Sequence, residues 1–161
     1  MLSMLTLRAL RAADRPALER LLRDAGNFSE AEMAVAVEVI DAGLRPGQTD
    51  YEFVVAEEDG AVLGYACWGK ASMSDGTWDL YWIAVDPKSH GRGIGRTLVE
   101  HCEEAVRKAH GRSLLVDTSS RAGYEGTLAF YKALNYELLA RFRDFYIAGD
   151  DKIVFGKYFS F

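Results

Sequence analysis

The sequence predicts a mixed α/β fold, in which a mostly antiparallel sheet of about seven strands packs with four helices. Strand-like and helix-like segments follow in the order strand, two helices, three strands, helix, strand, helix, two strands. The dipeptides Asp59-Gly60 and Gly149-Asp150 lie between neighbouring strands, as hairpin turns do. A glycine-rich segment, residues 90–97, joins a strand to a helix. Long hairpins interspersed with helices exclude a fully parallel sheet.

Length and composition are those of one globular domain, residues 1–161. The chain is 49% hydrophobic and 27% charged, as ordinary soluble domains are. Its formal net charge of -5 argues against nucleic-acid binding through a broad basic surface. Cys67 and Cys102 lack C-x-x-C partners and metal-ligand spacing, so we expect two packed, reduced thiols and no metal site. No signal-peptide pattern or membrane-spanning stretch is present, and we expect a cytoplasmic protein.

Cap signals predict two helices after a first strand at residues 4–8. Asp14 and Pro16 precede an apolar helical repeat, which predicts an acidic N-cap and an early proline. Gly26 ends that helix. An S-x-x-E capping box that starts at Ser29 begins the second helix, which runs to about residue 42.

The rest of the chain alternates strand-like runs with two further helices. Aromatic and β-branched residues predict the strands, and helical spacing of apolar residues predicts the helices. One helix runs from residue 98 to about residue 110, with Gly111 as its C-terminal glycine. The last helix covers residues 124–134. Strands are predicted at 51–57, 61–69, 77–85, 113–118, 136–147 and 152–159.

The glycine-rich segment predicts an anion site built from backbone. The first N–H groups of a helix have no intrahelical partner, and the helix dipole favours negative charge beside them. Glycines let the main chain approach a phosphate closely, and Arg92 and Arg96 add positive charge. An ordinary tight turn between strand and helix is the other interpretation of this segment taken alone.

The spacing of the glycines excludes two nucleotide motifs. A dinucleotide fingerprint that starts at Gly91 requires a third glycine at position 96, and Arg96 is there instead. A Walker A loop requires that glycine too, followed by a lysine where this chain has Thr97. A dinucleotide-dependent oxidoreductase is therefore disfavoured. The pattern R/Q-x-x-G-x-G/A remains, with Gly93 and Gly95 at its two small positions.

That pattern resembles the pyrophosphate loop of the GNAT acetyltransferase superfamily, with His90 where Arg or Gln is usual. A second landmark, residues 130–136, resembles the F-Y-x-x-x-G-F/Y segment of the family, with Asn135 in place of the glycine. Asparagine still tolerates the left-handed backbone conformation expected at this position. Upstream of it, Tyr124 and Thr127 replace the family's N-x-x-A, which puts one cofactor contact in doubt. The predicted element order is that of the family, and the resemblance covers residues 5–159.

The resemblance implies acetyl-CoA as cofactor. The loop would hold the pyrophosphate, and the end of the preceding strand would bond the pantetheine arm and orient the thioester. The residues assigned to the cofactor are Ile83, Ala84, Val85, His90, Gly91, Arg92, Gly93, Ile94, Gly95, Arg96, Thr97, Tyr124 and Tyr131.

The resemblance also implies catalytic residues. Tyr131 of the F-Y pair would protonate the leaving thiolate, and the alternative is a packed core aromatic. Asp79 and Tyr81 share one face of their strand by two-residue alternation, at positions where relatives place a base. Asp79 is the first candidate for the base, directly or through water, and the alternatives are an anchor for the substrate ammonium or a residue that faces solvent. Tyr81 would relay the proton or line the pocket.

Substrate contacts are assigned to Phe28, Asp79, Tyr81 and Ser119. Phe28 either lines the pocket or forms a hydrophobic staple before the second helix, and the staple is favoured. Asp150 and Asp151 are expected in a solvated turn. His101 and His110 are expected on the surface, without metal spacing.

The function implied is transfer of an acetyl group from acetyl-CoA to a primary amine of a small molecule or protein, by direct attack in a ternary complex. The alternative is a GNAT module that binds acyl-CoA without catalysis, as a sensor or subunit. Because many relatives form dimers, the resemblance also allows a homodimer. No nucleic-acid or membrane partner is expected.

Overall fold

The computed structural model describes residues 4–160, which form a seven-stranded sheet and four α-helices. The sheet order is β1-β2-β3-β4-β5-β7-β6. Strand β4 pairs with β5 in parallel, whereas β1–β2, β2–β3, β5–β7 and β6–β7 are antiparallel. The predicted fold class is confirmed. The elements are β1 (Thr6–Arg8), α1 (Arg15–Ala25), α2 (Glu30–Gly43), β2 (Glu52–Glu58), β3 (Ala61–Lys70), β4 (Thr77–Val85), α3 (Ile94–Lys108), β5 (Ser113–Ser119), α4 (Glu125–Ala133), β6 (Glu137–Ile147) and β7 (Asp150–Tyr158).

Backbone contacts divide the chain into two compact units. Unit 1 comprises the chain up to Gly69 together with Trp82–Cys102, and unit 2 comprises Lys70–Tyr81 and the chain from Glu103 onward. The division falls within β4 and within α3. None of the described helices is long and apolar enough to cross a membrane.

Unit 1 packs the apolar faces of α1 and α2 on β2 and β3. Its buried cluster includes Leu18, Leu21, Leu22, Ala36, Ile40, Val55, Tyr65 and Cys67. Burial raises the pKa of the Cys67 thiol, so this cysteine is an unreactive core residue, and both cysteines are buried and free as predicted.

The two predicted helix starts in unit 1 differ in how they are capped. Ser29 Oγ accepts a hydrogen bond from the Glu32 N–H at 3.1 Å, as the capping box requires. Asp14 stands at the N-cap of α1 but makes no side-chain cap bond. Its carboxylate instead accepts two bonds of 2.8 Å from the Arg8 guanidinium, which lower the pKa of Asp14. The acidic cap therefore anchors β1.

The C-terminus of α3, in unit 2, corrects the predicted role of Gly111. The residue in the left-handed conformation is His110, with φ of +60°. The Gly111 N–H donates to the Val106 carbonyl at 2.8 Å, which completes a Schellman-type cap. A Cβ on Gly111 would lie 2.4 Å from Val106 and 2.7 Å from Trp78. Glycine is thus needed here for close packing, one residue after the turn.

A buried polar cluster holds α3, β6 and β7 of unit 2 together. Tyr136 Oη donates to Glu103 Oε2 at 2.7 Å. Lys157 Nζ lies 3.3 Å from both Glu103 oxygens and donates to the Leu134 carbonyl at 3.1 Å. A buried carboxylate is tolerated because it has a cation and a hydroxyl as partners.

Candidate active site

The glycine-rich segment is a loop that leads directly into the first turn of α3. The helix begins at Ile94, four residues before its predicted start, so residues 94–97 are helical. Gly91 and Gly93 have φ of +83° and +78°, which side chains other than glycine rarely adopt. A Cβ on either residue would meet no atom within 4 Å. The glycines therefore make the turn and leave open space beside it.

The N–H groups of this loop have the arrangement of an anion site. The His90 N–H donates to Pro87 and the Thr97 N–H to Gly93. Between them, the six N–H groups of residues 91–96 have no acceptor among residues 4–160. Unpaired N–H groups at the start of a fifteen-residue helix favour a phosphate.

His90 connects the loop to the end of β4. Its Nε2 lies 3.2 Å from the Val85 carbonyl oxygen. A carbonyl oxygen only accepts, so Nε2 carries the proton in this contact. The residue that departs from the family pattern therefore positions the backbone.

Both arginines of the loop are engaged in ion pairs on the protein. Arg92 Nη2 lies 2.5 Å from Glu58 Oε2, and this contact lowers the pKa of Glu58. Arg96 Nε lies 2.8 Å from Glu100 Oε1, one turn along α3. Their charge near the loop is thus partly neutralised, and the backbone N–H groups dominate the site.

The end of β4, with Ile83, Ala84 and Val85, is held by β3. A Cβ on Gly64 would lie 2.9 Å from the Ala84 carbonyl oxygen, which indicates a close approach of the two backbones. The parallel register of β4 with β5 ends at Leu80 and Val116, although β4 runs on to Val85.

Asp79 lies in unit 2 as a half-buried carboxylate. It makes no hydrogen bond and no ion pair within 4.0 Å to the described residues. Burial is the main cause of the raised pKa of Asp79, and the nearby Asp117 carboxylate raises it further. The Lys152 ammonium partly offsets this increase. A carboxylate in this environment suits a proton acceptor or an ammonium ligand.

Asp79 belongs to a row of side chains on one face of four strands in unit 2. The register pairs Asp79 with Leu115, Asp117 with Val154, Ser119 with Lys152, and Lys152 with Phe142. Residues two apart on a strand share a face. We call this row the Asp79 face and define it as Asp79, Tyr81, Asp117, Lys152 and Phe142.

Tyr131 lies in the core of unit 2 and is 2% exposed. Its ring stacks on Phe155 at 6.1 Å and packs edge-on against Phe130 and Tyr136 at 5.1 and 5.5 Å. Asn135, where the family has glycine, adopts φ of +67°. The second landmark therefore has the backbone conformation that its pattern predicted.

The remaining predicted substrate residues, Phe28 and Ser119, and the predicted cofactor residue Tyr124 each contact residues of their own unit. In unit 1, Phe28 lies edge-on against Trp82 at 5.5 Å, beside the buried cluster. In unit 2, the Ser119 hydroxyl donates to the Asp150 carboxylate. Tyr124 Oη accepts from Arg121 at 3.4 Å.

The hairpin residue Asp150 is buried, so the prediction of a solvated turn is wrong for it. The Ser119 hydroxyl donates a hydrogen bond to one oxygen of the Asp150 carboxylate, and the Arg121 guanidinium lies 3.7 Å from the other oxygen. Asp151, by contrast, pairs with the exposed Arg141. His101 and His110 are exposed as predicted, and residues 4–160 contain no cluster of three metal-ligating side chains.

The sequence analysis missed Asp117 and Lys152. Lys152 Nζ lies 3.2 Å from Asp117 Oδ2, and both side chains face Asp79. The available signal was a single acidic residue in the apolar strand Ser113–Ser119. Only the strand register brings it beside Asp79.

Comparisons with known proteins agree with this geometry. The family model of the acetyltransferase (GNAT) domain matches residues 49–138. A crystal structure of a GNAT-family protein from Desulfovibrio desulfuricans has 36% identity and a TM-score of 0.92, and the match covers 96% of this chain and 99% of that one. A search of curated proteins found no match.

Two more distant structures share the fold. The ribosomal-protein-S18-alanine N-acetyltransferase of Escherichia coli is 24% identical, with a TM-score of 0.77 and coverage of 98% and 96%. A protein from Salmonella typhimurium, crystallised with its cofactor acetyl-CoA, is 19% identical, with a TM-score of 0.74 and coverage of 97% and 94%. The glycine loop, the element order and these matches lead to one conclusion: the chain belongs to the GNAT acetyltransferase family.

Proposed function

We propose that this protein transfers the acetyl group of acetyl-CoA to a primary amine, by direct attack of the amine in a ternary complex. One observation carries the proposal beyond family membership: Asp79 is a half-buried carboxylate to which the described residues offer no hydrogen-bond donor. Buried carboxylates in folded proteins usually have donors. A carboxylate that has no donor from the protein can accept hydrogen bonds from a substrate ammonium.

The glycine loop fits the cofactor. Six N–H groups without protein acceptors, beside two glycines with open space above them, suit a pyrophosphate. The loop residues His90–Thr97 would hold it, with His90 fixing the backbone through Val85. Acetyl-CoA would supply the acetyl group as a thioester. The backbone of Ile83, Ala84 and Val85 would orient the pantetheine arm, and Tyr124 would add a contact.

Asp79 would receive the ammonium and take its proton, directly or through water. An amine attacks only after it loses a proton, and a carboxylate with a raised pKa accepts one more readily at neutral pH. Tyr81, which is 39% exposed beside Asp79, would line the site or relay the proton. Phe28 and Ser119 stay candidates for substrate contact.

Tyr131 would give the Oη proton to the leaving sulfur. A phenol has an ordinary pKa of about 10 and can therefore donate at neutral pH. The ring is clamped between Phe155 and Tyr136, so the hydroxyl would be held in one position. A fixed acid needs no reorganisation at the moment of transfer.

The test is a panel of primary amines with acetyl-CoA and a free-thiol readout, with mass spectrometry of the acetylated product. We expect thiol release that depends on the amine. The substitution Asp79→Asn should lower kcat/KM by about 100-fold. Asp75→Asn, at an exposed turn of unit 2, is the matched control and should leave the rate unchanged.

The alternative function predicts a different outcome. A non-catalytic module would bind acetyl-CoA in calorimetry and release no thiol with any amine. Tight cofactor binding together with a silent panel would therefore replace the enzyme proposal by the binding module.

A further inference from the structure

The buried carboxylate of Asp150 faces the segment that joins β5 to α4 in unit 2. Asp150 is the first residue of β7 and is 2% exposed. The Ser119 hydroxyl donates to its Oδ1, whereas no hydrogen bond reaches its Oδ2 from residues 4–160. The Arg121 guanidinium lies 3.7 Å from this second oxygen. Buried carboxylate oxygens without a hydrogen bond are costly and rare, and a functional role is one reason to keep them.

The backbone of the same segment is fastened to the start of β7. The Ser120 N–H donates to the Asp151 carbonyl at 3.0 Å, and the Asp151 N–H donates to Ser120 Oγ at 2.8 Å. The Arg121 N–H donates to Ser119 Oγ at 3.1 Å. The side chain of Arg121 therefore starts from a defined position beside Asp150.

Arg121 connects Asp150 to the ring of Tyr124. The guanidinium carbon lies 5.2 Å from the centre of that ring, and Arg121 Nη2 donates to Tyr124 Oη at 3.4 Å. A guanidinium over an aromatic face is attracted to it, and the attraction is stronger where water is partly excluded. The Arg121 side chain is 30% exposed. Tyr124 precedes α4 and makes no side-chain cap bond to it, so its side chain is held by contacts of this kind.

We propose that Asp150 is a positioning residue for the cofactor site, which acts through Arg121 to hold the Tyr124 ring in the orientation that contacts acetyl-CoA. This inference rests on the proposed function, which assigns Tyr124 to the cofactor. Tyr124 stands where the resemblance places a short asparagine side chain. A tyrosine ring reaches further and turns about its side-chain bonds, so it needs a partner that fixes it. A ring that is fixed before the cofactor arrives removes an ordering cost from binding.

Calorimetry of acetyl-CoA binding to the purified protein tests the proposal. Asp150→Asn removes the charge and keeps the volume, and Arg121→Met removes the guanidinium and keeps much of the length. We expect each substitution to weaken binding by about fivefold, because the Tyr124 ring must then be ordered by the cofactor itself. Asp151→Asn, at the next carboxylate of the hairpin, is the matched control and should bind acetyl-CoA normally. Unchanged binding in Arg121→Met would overturn the proposal.

A double-mutant cycle distinguishes positioning from general damage to the fold. If Asp150 acts through the Tyr124 ring, Asp150→Asn should cost little further affinity once Tyr124→Leu has removed that ring. Losses that multiply in the double variant would mean that Asp150 affects binding by another route, and the proposal would fail. Urea unfolding measures the stability of each variant separately. If Asp150→Asn does not fold, Arg121→Met takes its place in the cycle.

These measurements separate the inference from the proposed function, because acetyl-CoA binding requires neither an amine nor turnover. A coupled cycle in a protein that releases no thiol with any amine would support the inference and refute the enzyme. Normal acetyl-CoA binding in Tyr124→Leu, together with amine-dependent thiol release, would support the enzyme and overturn the inference.

Discussion

The glycine loop of unit 1 and the Asp79 face of unit 2 are built in opposite ways. The loop consists of neighbouring residues, and its ligand groups are backbone N–H groups. Its polar side chains contact other protein groups, since His90 bonds Val85 and Arg92 pairs with Glu58. The Asp79 face takes side chains from four strands, of which only the hairpin strands β6 and β7 are neighbours in the sequence.

This difference determines which substitutions each region tolerates. A backbone site depends on φ and on free space, so replacing a glycine damages it, whereas replacing Arg92 or Arg96, which pair with carboxylates of the protein, does not. A side-chain site depends on single atoms at the ends of fixed side chains, so removing one oxygen is enough. The following substitutions test this contrast.

Tyr131→Phe removes one oxygen from unit 2 and should produce the largest effect. We expect kcat to fall by about 100-fold because the proposed general acid is lost, with acetyl-CoA affinity in calorimetry unchanged. Tyr136→Phe, which loses its bond to Glu103, is the control and should affect stability more than kcat. An unchanged kcat in Tyr131→Phe would falsify the acid role.

Gly93→Val should weaken acetyl-CoA binding by about tenfold, because a β-branched residue at positive φ distorts the loop and fills the space beside it. Calorimetry measures the change. Gly47→Val is the matched control, since Gly47 has φ of +77° and open space in an exposed turn outside the site. If both variants bind the cofactor normally, the loop has been assigned wrongly.

Ser119→Ala should destabilise the protein by about 1–3 kcal/mol, because it deprives the buried Asp150 carboxylate of its hydroxyl donor. Urea unfolding measures the change. Thr118→Val, which removes a 3.2 Å bond between neutral groups, should cost less. Equal costs would mean that the Asp150 carboxylate does not depend on this donor.

On stability, which is a separate readout from activity, Asp79→Asn should have the smallest effect of these substitutions and should stabilise the fold. The pKa of Asp79 is raised in the folded protein, so its ionised form costs stability, and this cost develops as the pH rises through the raised pKa. Asparagine removes the charge. We expect Tm to rise by about 1–4 °C at pH 7, with the difference vanishing as the pH falls below about 4. A lower Tm at pH 7 would contradict an unsatisfied carboxylate.

The sequence predicted the elements that depend on local signals. The N-cap at Ser29, the end of α1 at Gly26 and the left-handed Asn135 are confirmed, because each follows from the chemistry of neighbouring residues. The predicted start of α3 is four residues too late. The glycine-rich segment was interpreted as a loop throughout, whereas its last four residues also fit the first turn of a helix. The sequence placed Gly111 at the end of α3, but it did not show that His110 adopts the left-handed conformation or that Gly111 packs against Trp78.

By itself, the sequence determined the family, the order of the elements and the glycine loop, because these depend on spacing along the chain. The tertiary structure alone decided that Asp150 is buried, that Lys152 neutralises Asp117, and that Asp79 is left without a partner. The physical reason is strand register: pairing between distant strands determines which charges meet, and no local pattern encodes that pairing. The glycine loop can therefore be predicted from the sequence, whereas the Asp79 face depends on side chains that only the folded sheet brings together.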